Sequence, residues 1–254
     1  MNIFLSESTK IYQKRRQCSL ILAVIFLLIL IIYAVDHRET ILWDFEKDYT
    51  AAQLYRHGHN PYDNKILSQS RIPGFKPDLE YVYPLATTFF FMPFTYLDYY
   101  QASSIWLFLT LLILSVLVLM WWHFLKVSTS NYLFPVFAFL LFNMALPKSV
   151  VTGNINTLET ALIWLGLVAL TEGRTKRFSL LIGMAAVFKL TPLILIGIML
   201  IHKETRRWNH AMIAIFIVVA ILVSSFLLAP SWFDSYRDNL AHVVDILGYP
   251  PCIR

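Results

Sequence analysis

Long apolar runs restrict the fold of this chain more than any other feature. Residues 18–35 and 105–122 contain no charged side chain, and 57% of the whole sequence is hydrophobic. Runs of about 18 or more apolar residues cross a bilayer as α-helices, because lipid offers no partner for an unpaired backbone group. The sequence therefore predicts an all-α integral membrane protein with several spans.

The positive charges of the chain lie at the ends of its apolar runs. A net charge of +5 could indicate binding to nucleic acid, but this placement indicates membrane topology instead. The positive-inside rule puts all four basic groups in the cytoplasm. These groups are Lys10 with Lys14, Arg15 and Arg16; Lys126; Arg174 with Lys176 and Arg177; and Lys203 with Arg206 and Arg207.

This topology predicts a multi-pass protein of the plasma membrane. A cytoplasmic N-terminus at 1–17 precedes a membrane domain at 18–229, whose outer loop spans 36–98, and an extracytoplasmic tail follows at 230–254. Because 178–201 lies between two cytoplasmic basic groups, we expect it to form a hairpin of two short helices that turns near Lys189. The full crossings are expected at 18–35, 99–126, 132–147, 156–171 and 208–229.

Lys189 lies inside the apolar stretch 178–201 and is followed by Leu190, Thr191 and Pro192. An ammonium group at membrane depth costs on the order of 3 kcal/mol or more, and proteins usually keep one there to bind a substrate or an ion. Pro192 removes a helix hydrogen bond just after the charge. We therefore expect a broken membrane helix aimed at an anion; the alternative is a lysine that snorkels to the lipid headgroups.

The outer loop contains two segments with helical signals. Residues 47–57 carry a weakly amphipathic helical pattern, which Gly58 ends in the usual C-terminal position. Residues 85–94 are apolar, too short to span a bilayer and bounded by Pro84 and Pro93. We expect both segments to lie at the outer membrane interface, which makes this face the expected working surface.

Two carboxylates stand at the start of the first loop helix. Asp44 lies between Trp43 and Phe45, which would partly desolvate it and make it a stronger base when ionised. The alternative is that Asp44 only caps the helix that follows. Asp48 shares a helical face with Asp44, and we expect it to be the solvated partner of the pair.

A second polar element, at 152–156, connects two of the predicted crossings. Asn154 and Asn156, beside a glycine, suit either a hydrogen-bonding site for a polar ligand or an N-cap for the helix that begins near Thr157. Capping alone would explain Asn156. It would leave Asn154 without a role.

Metal and nucleotide chemistry are not indicated. His57 and His59 tempt one toward a metal site, but no second cluster of ligands completes it. No phosphate-binding glycine loop, nucleotide fingerprint or Ser/His/Asp order is visible. We expect no metal and no cofactor.

Several motifs occur in an order and at spacings that together cover residues 44–208. They are Asp44-Phe45 with Tyr49 and Ala51-Ala52; residues 58–63; Tyr83-Pro84 with Pro93 and Trp106; Gly153-Asn154-Ile155-Asn156; and Lys189-Leu190-Thr191-Pro192 with Arg206, Arg207 and Trp208. In these motifs the chain resembles the polyprenol-phosphate-mannose-dependent mannosyltransferases, family 87 of the glycosyltransferases in the GT-C superfamily.

The resemblance implies a GT-C-like helical bundle whose donor is a sugar on a polyprenyl phosphate and whose acceptor is a glycolipid or glycan outside the cytoplasm. Asp44 matches the carboxylate that would act as general base in a single inverting displacement. Lys189 would balance the charge of the donor phosphate. The other expected substrate-binding residues are Asn154 and Asn156 as hydrogen-bonding groups, Tyr49 and Tyr83 as an aromatic sugar platform, and Asp48.

The chain departs from the family pattern in three ways. Asn154 replaces the expected glutamine, and Asp48 stands where the family usually has a tyrosine, so the site is expected to be altered in donor or acceptor. Family members also generally continue beyond the length of this chain, which implies that it corresponds to their N-terminal portion. Two alternatives stay open: a transporter of lipid-linked sugars, which broken helices also suit, and a catalytically inactive, truncated membrane protein.

Overall fold

The computed structural model describes residues 42–70, 72, 80–125, 145–201 and 208–246, together with six isolated helical positions between residues 17 and 32. Throughout this described part the regular structure is helical, and it contains no β-strand. The predicted all-α class is confirmed. The predicted cytoplasmic N-terminus and the crossings at 18–35 and 132–147 fall almost entirely outside the described residues.

Within the described ranges the helices follow one another through short turns. In chain order they are α1 (Trp43–Arg56), α2 (Asn64–Ser70), α3 (Leu85–Phe91), α4 (Tyr99–Leu125), α5 (Ala145–Thr152), α6 (Asn156–Thr171), α7 (Thr175–Phe188), α8 (Ile194–Ile201), α9 (Trp208–Leu228) and α10 (Pro230–Ile246). Two 3₁₀ turns, Met92–Tyr96 and Thr191–Leu193, follow α3 and precede α8.

Two of the described helices are long and apolar enough to cross a membrane, judged by length and composition. They are Tyr99–Leu117 within α4, with a mean hydropathy of 1.8, and α9, with a mean hydropathy of 3.0. Helix α9 also leaves large apolar side chains uncovered, because Phe216 and Leu227 are 71% and 70% exposed. Apolar surface of this kind indicates contact with lipid or with another protein.

The stretch around Lys189 forms the predicted hairpin. Helix α7 ends at Phe188, and Lys189 itself is extended, with φ −148° and ψ 137°. The chain then turns through Thr191–Leu193 into α8, where the hydroxyl of Ser179 lies 3.7 Å from the sulfur of Met199. This contact between the start of α7 and the end of α8 shows that the two arms run antiparallel.

Both predicted outer-loop helices are present, but α1 begins at Trp43, four residues before its predicted start at 47. Helix α1 ends one residue earlier than predicted, and Gly58 follows it with a positive φ of 78°, which glycine adopts at no steric cost. Helix α3 begins directly after Pro84, and Pro93 lies in the 3₁₀ turn that continues it.

Two elements differ from the sequence prediction. Thr152 is the last residue of helix α5, so the polar element expected at 152–156 is reduced to a turn at 153–155. The predicted extracytoplasmic tail contains the regular helix α10. Its apolar residues recur at the helical period, which indicates an amphipathic helix. The charged residues of this segment make that pattern hard to see in the sequence.

An aromatic core joins the loop helices to α4. The ring of Phe45, which is fully buried, stacks on Trp106 at 5.7 Å between centroids and meets Phe91 and Phe94 edge-on at 5.9 Å and 5.8 Å. These contacts fix α1 against α3 and α4. They hold the residues on either side of Phe45 in set positions, which matters for the site.

Candidate functional site

Gly153 brings the turn at 153–155 against the start of α1. A β-carbon built on Gly153 would lie 2.7 Å from the β-carbon of Phe45, and the residue has φ +71°, so this position requires glycine. The indole nitrogen of Trp106 donates a hydrogen bond to the Gly153 carbonyl oxygen at 2.8 Å. The next residue, Asn154, is thereby placed beside the first turn of α1.

Asn154 links Asp44 to Tyr83. Its amide nitrogen donates to Oδ2 of Asp44 at 2.8 Å and lies 3.4 Å from the Tyr83 hydroxyl. Its carbonyl oxygen accepts the backbone N–H of Asn156 at 2.9 Å, which fixes the amide orientation. The N-cap position of α1 is Leu42 and carries no side-chain capping bond, so the capping alternative for Asp44 is wrong.

Asn156 joins this group to Lys189. The Lys189 ammonium donates to Oδ1 of Asn156 and lies over the Tyr83 ring, 5.8 Å from its centroid. The N-cap position of α6 is Ile155, again without a side-chain capping bond, so Asn156 is not a cap. The extended backbone at the end of α7 therefore directs the lysine toward the two asparagines.

A second ammonium group belongs to the same site. Lys47 lies 3.8 Å from Oδ1 of Asp44 and 5.4 Å from the centroid of the Tyr83 ring, and its residue exposure is only 5%. Two cations over one aromatic ring gain favourable electrostatic contact with its face. Sequence reasoning missed Lys47, although its spacing of three residues from Asp44 puts both on one helical face.

Asp48 is the clearest correction to the sequence prediction. It was expected to be solvated, yet it is fully buried, and neither carboxylate oxygen has a hydrogen-bond partner among the described residues. Burial raises the pKa of Asp48 well above its usual value; Lys47 and Lys189 lower it, and Asp44 and Glu46 raise it, by smaller amounts. Tyr81 and Tyr83, in the segment before α3, lie near Asp48. The residues beside Asp48 in the sequence of α1 do not indicate this proximity.

The two predicted platform tyrosines have different surroundings. Tyr83 is 7% exposed and contacts both lysines, and burial followed by the charges of Asp48 and Asp44 raises its pKa far above the usual value. Tyr49 instead donates its hydroxyl to the Leu97 carbonyl at 2.8 Å and packs against Tyr99. It does not join the other predicted residues.

We call the residues brought together around Tyr83 the charged cluster. Six of the seven predicted site residues belong to it, together with Lys47. Glu159, in the first turn of α6, lies at its edge, where it interacts electrostatically with Lys189 and is 9% exposed. The members of the charged cluster are Asp44, Lys47, Asp48, Tyr83, Asn154, Asn156 and Lys189.

A second polar network, which we call the amide clamp, connects α10 to the loop. The Asn239 side-chain nitrogen donates to the carbonyls of Tyr62 and Tyr81 at 3.0 Å and 3.3 Å, and its oxygen accepts from Asn64 at 2.9 Å. Asn64 also donates to Glu80 at 3.0 Å. The amide clamp consists of Asn64, Glu80 and Asn239 with these two carbonyls.

The amide clamp reaches the charged cluster through one further bond. The hydroxyl of Tyr62 donates to the backbone carbonyl of Tyr83 at 2.9 Å. In the part of the chain that the structure describes, no three His, Cys, Asp or Glu side chains are grouped as metal ligands. The charged cluster itself offers one accessible carboxylate, two ammonium groups and two amides.

A sequence model of glycosyltransferase family 87 matches residues 81–249. The match begins just before Tyr83 and includes Asn154, Asn156 and Lys189, whereas the carboxylates and the lysine of α1 precede it. No curated protein and no solved structure matches the chain.

Proposed function

Since this chain belongs to glycosyltransferase family 87, we propose that it transfers a hexose, mannose in the first instance, from a polyprenyl-phosphate sugar to a lipid or glycan acceptor outside the cytoplasm. Family membership makes the protein a glycosyltransferase. The donor, the acceptor and the course of the reaction are the proposal. The observation that carries it is the charged cluster, in which a carboxylate and two ammonium groups meet around one tyrosine.

The proposed division of roles follows from charge and access. Asp44 is the carboxylate with open access, since its side chain keeps 14% exposure while Asn154 holds one of its oxygens. Lys189 and Lys47 supply the positive charge that an anionic leaving group requires. Tyr83 contacts both lysines and the amide of Asn154, so it lies next to the groups that are assigned to both roles.

The reaction is an inverting displacement. Asp44 accepts the proton of an acceptor hydroxyl while that oxygen forms a bond to the anomeric carbon of the donor sugar. The bond between this carbon and the phosphate oxygen breaks, and the lipid phosphate leaves with the electron pair. Lys189 and Lys47 balance the charge that develops on the phosphate, while Asn154 and Asn156 hydrogen-bond the sugar. A positioned general base contributes about 10² to 10⁴-fold to such a step.

The membrane arrangement is also part of the proposal. A lipid-linked donor keeps its chain in the bilayer and its phosphate at headgroup depth, so the charged cluster should lie at that depth. The two apolar helices, α4 and α9, are long and apolar enough to be spans of such a protein. We place the N-terminus in the cytoplasm and the charged cluster at the outer face of a multi-pass protein in the plasma membrane.

Transfer of label tests this function directly. The full chain is incubated in membranes with radiolabelled polyprenyl-phosphate mannose, and labelled product is separated from donor. We expect Asp44→Asn to lower the rate about 1,000-fold at unchanged protein level. Asp238→Asn is the matched control, because Asp238 lies on the exposed face of α10 with 71% side-chain exposure. Its rate should equal that of the wild type.

Two results would reject parts of the proposal. Equal transfer by Asp44→Asn and the wild type would reject Asp44 as the base. Movement of labelled donor between leaflets without any product would instead support the transporter alternative.

A further inference from the structure

Helix α1 carries two fully buried carboxylates that differ in their partners. Glu46 accepts hydrogen bonds from the Thr50 hydroxyl at 3.2 Å and from the backbone N–H of Ile72 at 3.1 Å. Asp48, equally buried, receives none from any described residue at either oxygen. Glu46 therefore has a structural role in holding the loop. Among the described residues, none gives the carboxylate of Asp48 a comparable structural role.

The charges that face Asp48 come from three directions. On α1 itself they are Asp44, Glu46 and Lys47, and Lys189 approaches from the end of α7. The segment before α3 adds the hydroxyls of Tyr81 and Tyr83. Helix α3 has no titratable side chain, and the lysines of the neighbouring helices α2 and α5, Lys65 and Lys148, are exposed. Among the described residues, the positive charge near Asp48 thus comes from the same two lysines that contact Tyr83.

Neither lysine is committed to Asp48. Lys47 forms its ion pair with Asp44, and Lys189 donates to Asn156, while no ion pair reaches Asp48 from the described residues. An ionised carboxylate enclosed in protein is costly unless positive charge compensates it. Here Lys47 and Lys189 stabilise the Asp48 carboxylate only from a distance, and each also contacts another residue. This stabilisation is therefore lost when another anion binds both ammonium groups.

We propose that binding of the anionic donor is coupled to the uptake of one proton by Asp48. The inference rests on the proposed function, because it places the donor phosphate on Lys47 and Lys189. The phosphodiester brings one negative charge to the two lysines, and a proton from solvent adds to one oxygen of Asp48. No other bond forms or breaks in this step. Asp48 is a positioning residue, since it acts on the donor only through the two cations.

The direction of the Asp48 pKa agrees with this coupling. Burial raises that pKa well above the usual value, because an ionised carboxylate is disfavoured away from water. A phosphate anion nearby raises it further, because a second negative charge disfavours ionisation. By linkage, the donor then binds more tightly to the form of the protein in which Asp48 carries its proton.

The test is calorimetric and uses the full chain in detergent or nanodiscs. The probe is a short-chain prenyl phosphomannose, a phosphodiester whose single charge does not change between about pH 6 and pH 9. Titrations in two buffers of different ionisation enthalpy give the number of protons taken up. We expect net proton uptake on binding, approaching one proton per donor at pH values between the free and donor-bound pKa of Asp48. The donor Kd should also weaken by about tenfold per pH unit over the interval between the free and donor-bound pKa values.

A pair of variants assigns the proton to its residue. Asp48→Asn should bind the probe with a Kd that changes less than about twofold over the same pH range, because the neutral amide cannot titrate. Glu46→Gln is the matched control and should still bind the probe with a pH-dependent Kd, displaced to lower pH because the Glu46 charge raises the Asp48 pKa. If Asp48→Asn does not fold, a wild-type proton count of zero still overturns the coupling, and Glu159→Gln, which removes the other buried carboxylate that interacts with Lys189, should leave the uptake in place.

The outcomes separate this inference from the proposed function. Binding of the probe without proton uptake, or with equal pH dependence in the wild type and Asp48→Asn, overturns the coupling and leaves the glycosyltransferase proposal intact. Failure of the wild-type chain to bind the probe at any pH overturns both.

Discussion

The charged cluster and the amide clamp are built from similar polar residues, yet they use their hydrogen-bonding groups differently. In the amide clamp, Asn239 bonds Asn64 and two backbone carbonyls, and Asn64 also bonds Glu80, so both side-chain amides are satisfied within the protein, although Oε2 of Glu80 has no hydrogen-bond partner among the described residues. In the charged cluster, Asp48 has no hydrogen bond from the described residues, and both lysines lie over the ring of Tyr83. A closed network stabilises a fold, whereas an open one is suited to a ligand.

After the loss expected for Asp44→Asn, removal of one cation from the charged cluster should produce the largest effect. Lys189→Met keeps the length of the side chain but removes its charge, so we expect kcat/KM for the lipid-linked donor to fall about 100-fold. Steady-state kinetics with varied donor concentration measure it. Lys148→Met, an exposed lysine on α5, is the control and should retain wild-type kinetics. If the donor KM and kcat are unchanged in Lys189→Met, the lysine does not bind the donor and only extends toward the lipid headgroups.

Opening the amide clamp should lower stability. Asn239→Ala leaves two backbone carbonyls and Asn64 without their partner, and we expect a loss of about 2 to 3 kcal/mol in the free energy of unfolding. Chemical denaturation in detergent, followed by tryptophan fluorescence, measures it. A change below about 0.5 kcal/mol would mean that the clamp is not a closed network in solution.

Asp48 should make stability depend on pH in the direction opposite to an ordinary ion-paired carboxylate. Its folded-state pKa is raised, so the stability that its neutral form contributes is fully present below the usual Asp pKa of 3.8 and is lost as pH rises through the folded-state pKa. Within that window the slope is about 1.4 kcal/mol per pH unit. Denaturation of wild type and Asp48→Asn at several pH values should show this loss only in the wild type; parallel curves would contradict it.

The smallest effect is expected at the solvent edge of the amide clamp. The imidazole of His242 lies 3.6 Å from Glu80, but its side chain is 58% exposed. Exposed ion pairs contribute little, so His242→Gln should change the free energy of unfolding by less than about 0.5 kcal/mol. A loss comparable with that of Asn239→Ala would extend the clamp to the surface of α10.

Local signals in the sequence predicted the elements that depend on local chemistry. Pro192 beside Lys189, between two basic groups, was sufficient for the hairpin, and Gly58 was sufficient for the end of α1. Proline and glycine act on the backbone of their own neighbourhood, which is why such signals can be interpreted without knowledge of the tertiary contacts.

The partners of the site residues depend on contacts between distant segments. Asn156 had two plausible roles in the sequence, and its contact with Lys189, 33 residues away, decides against capping. Asp48 was predicted to be solvated because its neighbours along α1 do not show that the segment before α3 encloses it. Lys47 was overlooked because a lysine beside a carboxylate on a helix is usually an exposed pair.

The close approach of Gly153 to Phe45 links the Asp44 carboxylate mechanically to its amide partner, Asn154. Trp106 donates a hydrogen bond to the carbonyl oxygen of the same glycine. A tilt of α1 relative to α6 would therefore require α4, which carries Trp106, to move as well. Asp44 and Asn154 would therefore move together in any rearrangement of the outer loop. If the proposed function holds, adaptation to acceptors of different size would have to come from the side of the charged cluster that carries Lys189.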